Sequence, residues 1–223
     1  MLIRSASGLR GIAKDHFTPE LIDKYISAFI NTQNIKSCVI GRDGRPSGKQ
    51  IALWVIDSLH KKGVNVDNCG LATTPTMQIM TEKENYDGGI VITASHNPSE
   101  YNGLKFLQND GTFLSPEQCE ELFKAVDQNI SVENSESLGV VSDYSTANKE
   151  HIHKVLSAKC IDVESVIQKK FTVVIDAVNG AGSYILPTLC EQLGCKVITM
   201  NCNGDGNFDR IPEPLAENLQ SLE

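Results

Sequence analysis

Short β-rich apolar runs alternate with stretches of helical spacing along most of the chain. The first run, residues 37–40, ends in the turn-prone segment GRDGRPSG. Over residues 49–60, Ile51, Val55, Ile56 and Leu59 then recur at the interval of one helix face. Residues 64–71 predict the next strand, and Thr74-Pro75 opens a short helix. Residues 88–92, GGIVI, predict a buried strand that runs into TASHNPSEYNG. Strand character resumes at 104–107, and Asn109-Asp110-Gly111 predicts a hairpin turn onto residues 112–114. Ser115 stands as an N-cap with Pro116 at the first helical position, which predicts a helix to Val126.

Residues 127–145 lose this periodicity and turn polar and acidic, the pattern of a linker. A helix over 146–158 follows, then a β-α-β unit of strand 171–176, helix 183–193 and strand 196–200. Regular alternation of strands and helices predicts a layered α/β fold.

Composition narrows the function. With 223 residues, 40% hydrophobic and 22% charged, the chain matches an ordinary globule able to bury a core. A net charge of −8 argues against a nonspecific nucleic-acid or anionic-membrane binder, while leaving room for a local basic cluster. No apolar run approaches the roughly 18 residues of a spanning helix. The start, MLIRSASGLRGIAK, lacks the apolar stretch of a secretory signal, so a cytoplasmic location is expected. Seven scattered cysteines without a C-x-x-C pair predict free thiols. Cys190, Cys195, His151 and His153 match no zinc spacing, and both histidines are expected on a helix surface.

The chemistry concentrates in residues 93–106. Ser95 follows the C-terminal end of a predicted buried strand, where α/β folds place ligands, and has His96, Asn97, Asn102 and Lys105 close behind it. The G-x-S-x-G elbow of acyl transfer is missing, because Thr93 and Asn97 occupy the glycine positions. A phosphorylated serine needs cations around it, which Lys105, Arg10, Arg42 and Arg45 can supply. The competing structural reading is a serine that only turns the loop. Gly180-Ala181-Gly182 resembles part of a dinucleotide fingerprint, but Ile185 stands where the third glycine belongs, so no such cofactor is expected.

TASHNP followed by YNGLK resembles the phosphoserine loop of the α-D-phosphohexomutase family. SGLRG at 7–11, GRDGRPSG at 41–48, IDAVNGAG at 175–182 and DGNFDRIPEPLAENL at 205–219 resemble further segments of that family, in the same order. The resemblance implies a three-layer mixed-sheet domain over residues 1–140, followed by the start of a second, similar α/β domain over 141–223. It also implies a mutase interconverting hexose 1-phosphate and hexose 6-phosphate through a phosphoserine and a hexose 1,6-bisphosphate, with neither nucleic acid nor membrane as a partner. SASGLRG, GLATTPT and residues 151–176 lean toward phosphoglucosamine-type members rather than phosphomannomutase or phosphoglucomutase.

By this resemblance Ser95 is the phosphorylated residue and gives a phosphate oxygen to Mg²⁺. Arg10 and Lys105 assist proton transfer and steady the phosphoryl group, and His96 is the motif histidine beside the serine. Asn97, Arg42 and Arg45 join Arg10 and Lys105 in holding substrate phosphate. Electrostatic clamping suits Arg10 better than proton transfer, since guanidinium hardly deprotonates. For His96, orienting the loop and acting directly stay equally open; for Asp43, an ion pair within the first domain is the favoured reading. GDGNFDR departs from the family's D-G-D-x-D-R metal loop in spacing and in carboxylate number, so the remaining Mg²⁺ ligands are expected to be missing from this chain. An N-terminal portion without turnover is therefore expected; the alternative is a stand-alone phosphosugar-binding or regulatory module.

Overall fold

The computed structural model describes residues 2–84 and 86–222. The chain runs through β1 (Ile3–Ser5), β2 (Gly8–Ile12), α1 (Ala13–His16), α2 (Pro19–Gln33), β3 (Ser37–Arg42) and α3 (Pro46–Lys61). Next come β4 (Asn65–Leu71), α4 (Thr74–Lys83), β5 (Gly88–Ile92), β6 (Tyr101–Gln108), α5 (Pro116–Asp127) and β7 (Val141–Asp143). The rest comprises α6 (Ala147–Leu156), α7 (Val163–Lys169), β8 (Thr172–Asp176), α8 (Gly182–Gln192), β9 (Lys196–Met200) and two short 3-10 turns.

The first seven strands form one mixed sheet in the order β1-β2-β6-β5-β3-β4-β7, while β8 and β9 pair in parallel as a separate sheet. β5 shows why the first sheet is covered on both faces: all five of its residues are buried. Ile90 and Ile92 point into a core shared with α2, α3 and α5, whereas Val91 points oppositely, toward Met77 and Met80 of α4. This period-two division of a continuous apolar run is what a central strand between helical layers requires.

Several elements extend beyond the sequence reading. α2 buries Ile22, Tyr25, Ile26 and Phe29 at helical spacing, starts on a Thr18 cap with Pro19 and ends on left-handed Asn34. The presumed linker carries β7, which adds in parallel to the free edge of β4. The turn at 109–111 forms with Gly111 at φ +78°, but a single bridge, Leu107 to Phe113, replaces the expected second hairpin strand. His151 is not a surface residue of α6: it is half-buried and lies 2.9 Å from the Thr76 hydroxyl of α4. Burial, then the nearby Lys154, holds its pKa below the ordinary histidine value. All seven cysteines are free thiols.

The capping of α5 is complete. Ser115 accepts from Gln118 N, and the Gln118 side chain accepts from Ser115 N at 2.8 Å. Replacing Ser115 with alanine is expected to cost about 1 kcal/mol, read as a lower urea midpoint at unchanged slope.

Candidate active site

β3 and β5 lie side by side in parallel, so their C-terminal ends deliver two loops, 43–45 and 93–100, to the same edge of the sheet. One residue ties these loops together. Arg45 is fully buried, and its five guanidinium donors all have partners. Nε donates to Asp43 at 3.0 Å, Nη1 to the Pro98 and Tyr101 carbonyls, and Nη2 to the Ser95 and Asn97 carbonyls at 2.9 and 2.6 Å. Asp43 is the second tie, accepting from Thr93 Oγ1 at 2.6 Å; Thr93 Oγ1 in turn accepts from Ser95 N at 2.9 Å.

These ties hold Ser95 at φ +58°, a left-handed conformation that serine rarely adopts. Its side chain is exposed, with Oγ 3.4 Å from His96 Nδ1. Arg45, expected to meet phosphate, is thus a staple inside the loop with no donor left for a ligand. Arg42 is half-buried and donates to the Asp43 carbonyl at 2.9 Å. Asn102, fully buried, donates to Ser47 Oγ at 2.9 Å.

Arg10 and Lys105 reach the serine from the other side. Arg10 on β2 is registered with Gly103 of β6, so Lys105, two residues on, projects from the same sheet face. Arg10 donates to Asn97 Oδ1 at 2.8 Å, which makes Asn97 a brace between that arginine and the loop. Ser95, Arg10 and Lys105 line one cavity of about 30 Å³ with Ser5, Ser7, Gly8, Leu9, Thr93 and Ala94. Two cations and no carboxylate face this small space. Burial, reinforced by the Arg10 charge, holds the Lys105 pKa below the ordinary lysine value, while its ammonium sits 5.0 Å from the centre of the Phe113 ring.

A second cavity, of about 270 Å³, opens between Ser95, Thr93 and Asp43 on one side and Val178, Gly180, Phe208 and Pro212 on the other. Close approach of glycines makes this seam possible: a Cβ on Gly206, at φ +74°, would sit 2.0 Å from the Gly44 carbonyl oxygen. Val178, a β-branched residue at φ +47°, is strained where it lines this cavity. Across the seam His96 Nε2 lies 3.1 Å from Glu213 Oε2. A roomier groove of about 670 Å³ between α2 and α3 holds none of these groups.

The site contains residues that local motif reading did not assign to it. Thr93 could have been found as the hydroxyl two residues before the serine, able to accept its N–H. Glu213 gave no local signal, since its partner lies in another domain. The described residues do not by themselves fit Mg²⁺. No group of three or more His, Cys, Asp or Glu among them is arranged for a metal ion, Asp43 is committed to Arg45 and Thr93, and Asp205 accepts from Asn207 N. No helix among them is long and apolar enough to cross a membrane.

Comparison with known proteins agrees with this architecture. Residues 1–133 match the phosphoglucomutase/phosphomannomutase alpha/beta/alpha domain I, and residues 149–223 match domain II. A phosphoglucomutase/phosphomannomutase of Thermococcus kodakarensis is 39% identical over 96% of this chain and 48% of its own length. A phosphoglucosamine mutase of Methanococcus vannielii is 37% identical over 95% of this chain and 46% of its own length. Among solved structures, a phosphoglucomutase/phosphomannomutase family protein from Burkholderia thailandensis superposes with a TM-score of 0.74 at 26% identity, covering 98% of this chain and 49% of that one. The chain spans about half the length of the curated relatives it matches. By its sequence and by its fold, the chain belongs to the phosphoglucomutase/phosphomannomutase family.

Proposed function

We propose that Ser95 is the phosphoryl carrier of a phosphohexomutase, which interconverts hexose 1-phosphate and hexose 6-phosphate through a hexose 1,6-bisphosphate. One observation supports this above the others: an exposed serine hydroxyl opens onto a small cavity lined by Arg10 and Lys105 and by no carboxylate. Such a cavity favours a dianion over a neutral or cationic ligand.

In the transfer, the bond from phosphorus to Ser95 Oγ breaks as a bond to a sugar hydroxyl oxygen forms. Lys105 takes the hydroxyl proton in the fraction present as neutral amine, a fraction its lowered pKa enlarges, and Arg10 clamps the equatorial phosphoryl oxygens. His96 returns a proton to Oγ, and the reverse sequence recharges the serine from the bisphosphate. Asn97 keeps Arg10 aimed at the phosphoryl group. Arg42 and Arg45 act behind the loop, holding its shape. The similarity to a protein named phosphoglucosamine mutase makes amino-hexose phosphates the first substrates to try.

The test is intact-mass analysis, with peptide mapping, of this chain extended to the length of its relatives, so that Mg²⁺ ligands are supplied, after incubation with hexose 1,6-bisphosphate and Mg²⁺. One phosphate at Ser95, absent from Ser95→Ala, is the expected result. Binding of hexose phosphate with no phosphate at Ser95 would replace this reading with that of a binding module.

A further inference from the structure

The imidazole of His96 bridges the serine loop and the loop that carries Glu213, across the seam. Its Nδ1 lies 3.4 Å from Ser95 Oγ, and its Nε2 lies 3.1 Å from Glu213 Oε2. A carboxylate accepts hydrogen bonds, so the nitrogen facing Glu213 carries the hydrogen. In an uncharged imidazole the other nitrogen is then the acceptor, and here that nitrogen faces the serine hydroxyl.

The backbone of Glu213 is itself held firmly. Pro212 and Pro214 restrict the backbone on both sides of it, and its carbonyl accepts from Leu215 N and Asn218 Nδ2, each at 2.9 Å. Three residues earlier, Arg210 Nε donates at 2.8 Å to Asp176, whose side chain is 1% exposed. The two side chains are more open than this backbone, His96 at 52% and Glu213 at 37% exposed.

We propose that Glu213 is a positioning residue: it holds His96 as the Nε2–H tautomer, so that Nδ1 accepts the Ser95 hydroxyl hydrogen. The function rests on the reading of Ser95 as the phosphoryl carrier; the tautomer does not. The serine and its base thus align only when the two domains stand in the relation seen here.

Long-range ¹H–¹⁵N correlation spectra of the chain, recorded above neutral pH, report the His96 tautomer directly. Wild type is expected to show hydrogen on Nε2 almost exclusively, Glu213→Ala to fall back to the weaker excess of a free imidazole, and Glu213→Gln, which keeps an acceptor oxygen, to restore the fuller preference. Phosphate uptake at Ser95 from hexose 1,6-bisphosphate is expected to slow about tenfold in Glu213→Ala and recover in Glu213→Gln. Hydrogen on Nδ1 in wild type, or a His96 signal unchanged by Glu213→Ala, overturns the proposal. An absence of phosphate uptake in wild type counts only against the carrier reading, because the spectra still decide the tautomer.

Discussion

Replacing Arg45 with methionine is expected to remove about 3–5 kcal/mol of stability, the range for breaking a buried ion pair from one side. The methionine fills much of the volume but leaves the Asp43 carboxylate uncompensated and four loop carbonyls without their donor. Lysine is a poor substitute. Its single ammonium can meet Asp43 but cannot span carbonyls that a planar fork reaches from both ends, so Arg45→Lys is expected to keep less than half of the contribution.

A double-mutant cycle with Asp43→Asn separates the ion pair from the carbonyl contacts. The two changes should couple by 0.5–3 kcal/mol, because each alone leaves the other's partner unsatisfied. Urea unfolding supplies the numbers. A loss below about 1 kcal/mol in Arg45→Met would mean that the loop is held by its own turns, and that the left-handed Ser95 needs no staple.

Arg45 also shows where sequence reasoning ended. As one of four cations near a candidate phosphate it was a natural ligand; only its burial and five satisfied donors reveal a scaffold. The central strands, α3 and α5 were legible, because an apolar run or a helical stripe with its cap is local information. α2 went unread, although Thr18-Pro19 and Asn34 flank an apolar stripe of helical spacing at Ile22, Ile26 and Phe29. β1 and β2 were not legible: they are short, carry Gly8 and Gly11, and owe their form to antiparallel pairing with β6. β7, three exposed residues, exists only because β4 offers a free edge. In the site, Ser95, Arg10 and Lys105 could be read from their motifs, and register explains why the two cations share a face. The positive φ of Ser95 and the reach of Glu213 across the seam depend on contacts between distant segments, which no local pattern encodes.

Lys105→Met should separate activity from stability. Burial and the Arg10 charge both disfavour the ammonium in the folded chain, so its folded pKa lies below the unfolded one. In the pH window between those two values the unfolded chain binds more protons, and wild-type stability should rise with pH as it climbs toward the ordinary lysine range. Methionine removes both the repulsion and this slope, at the loss of a cation–π contact with Phe113 worth about 0.5–1 kcal/mol. The melting temperature near neutral pH should therefore be unchanged or higher, with a flatter profile above it. Phosphate uptake at Ser95 should fall by about 10²–10³, the usual consequence of deleting one group that stabilises charge in a transition state. If uptake and stability fell together, Lys105 would be a packing residue of β6. If uptake survived, the proton and the charge would both have to be handled by Arg10 and His96, and the cavity's cations would lose their claim on the reaction.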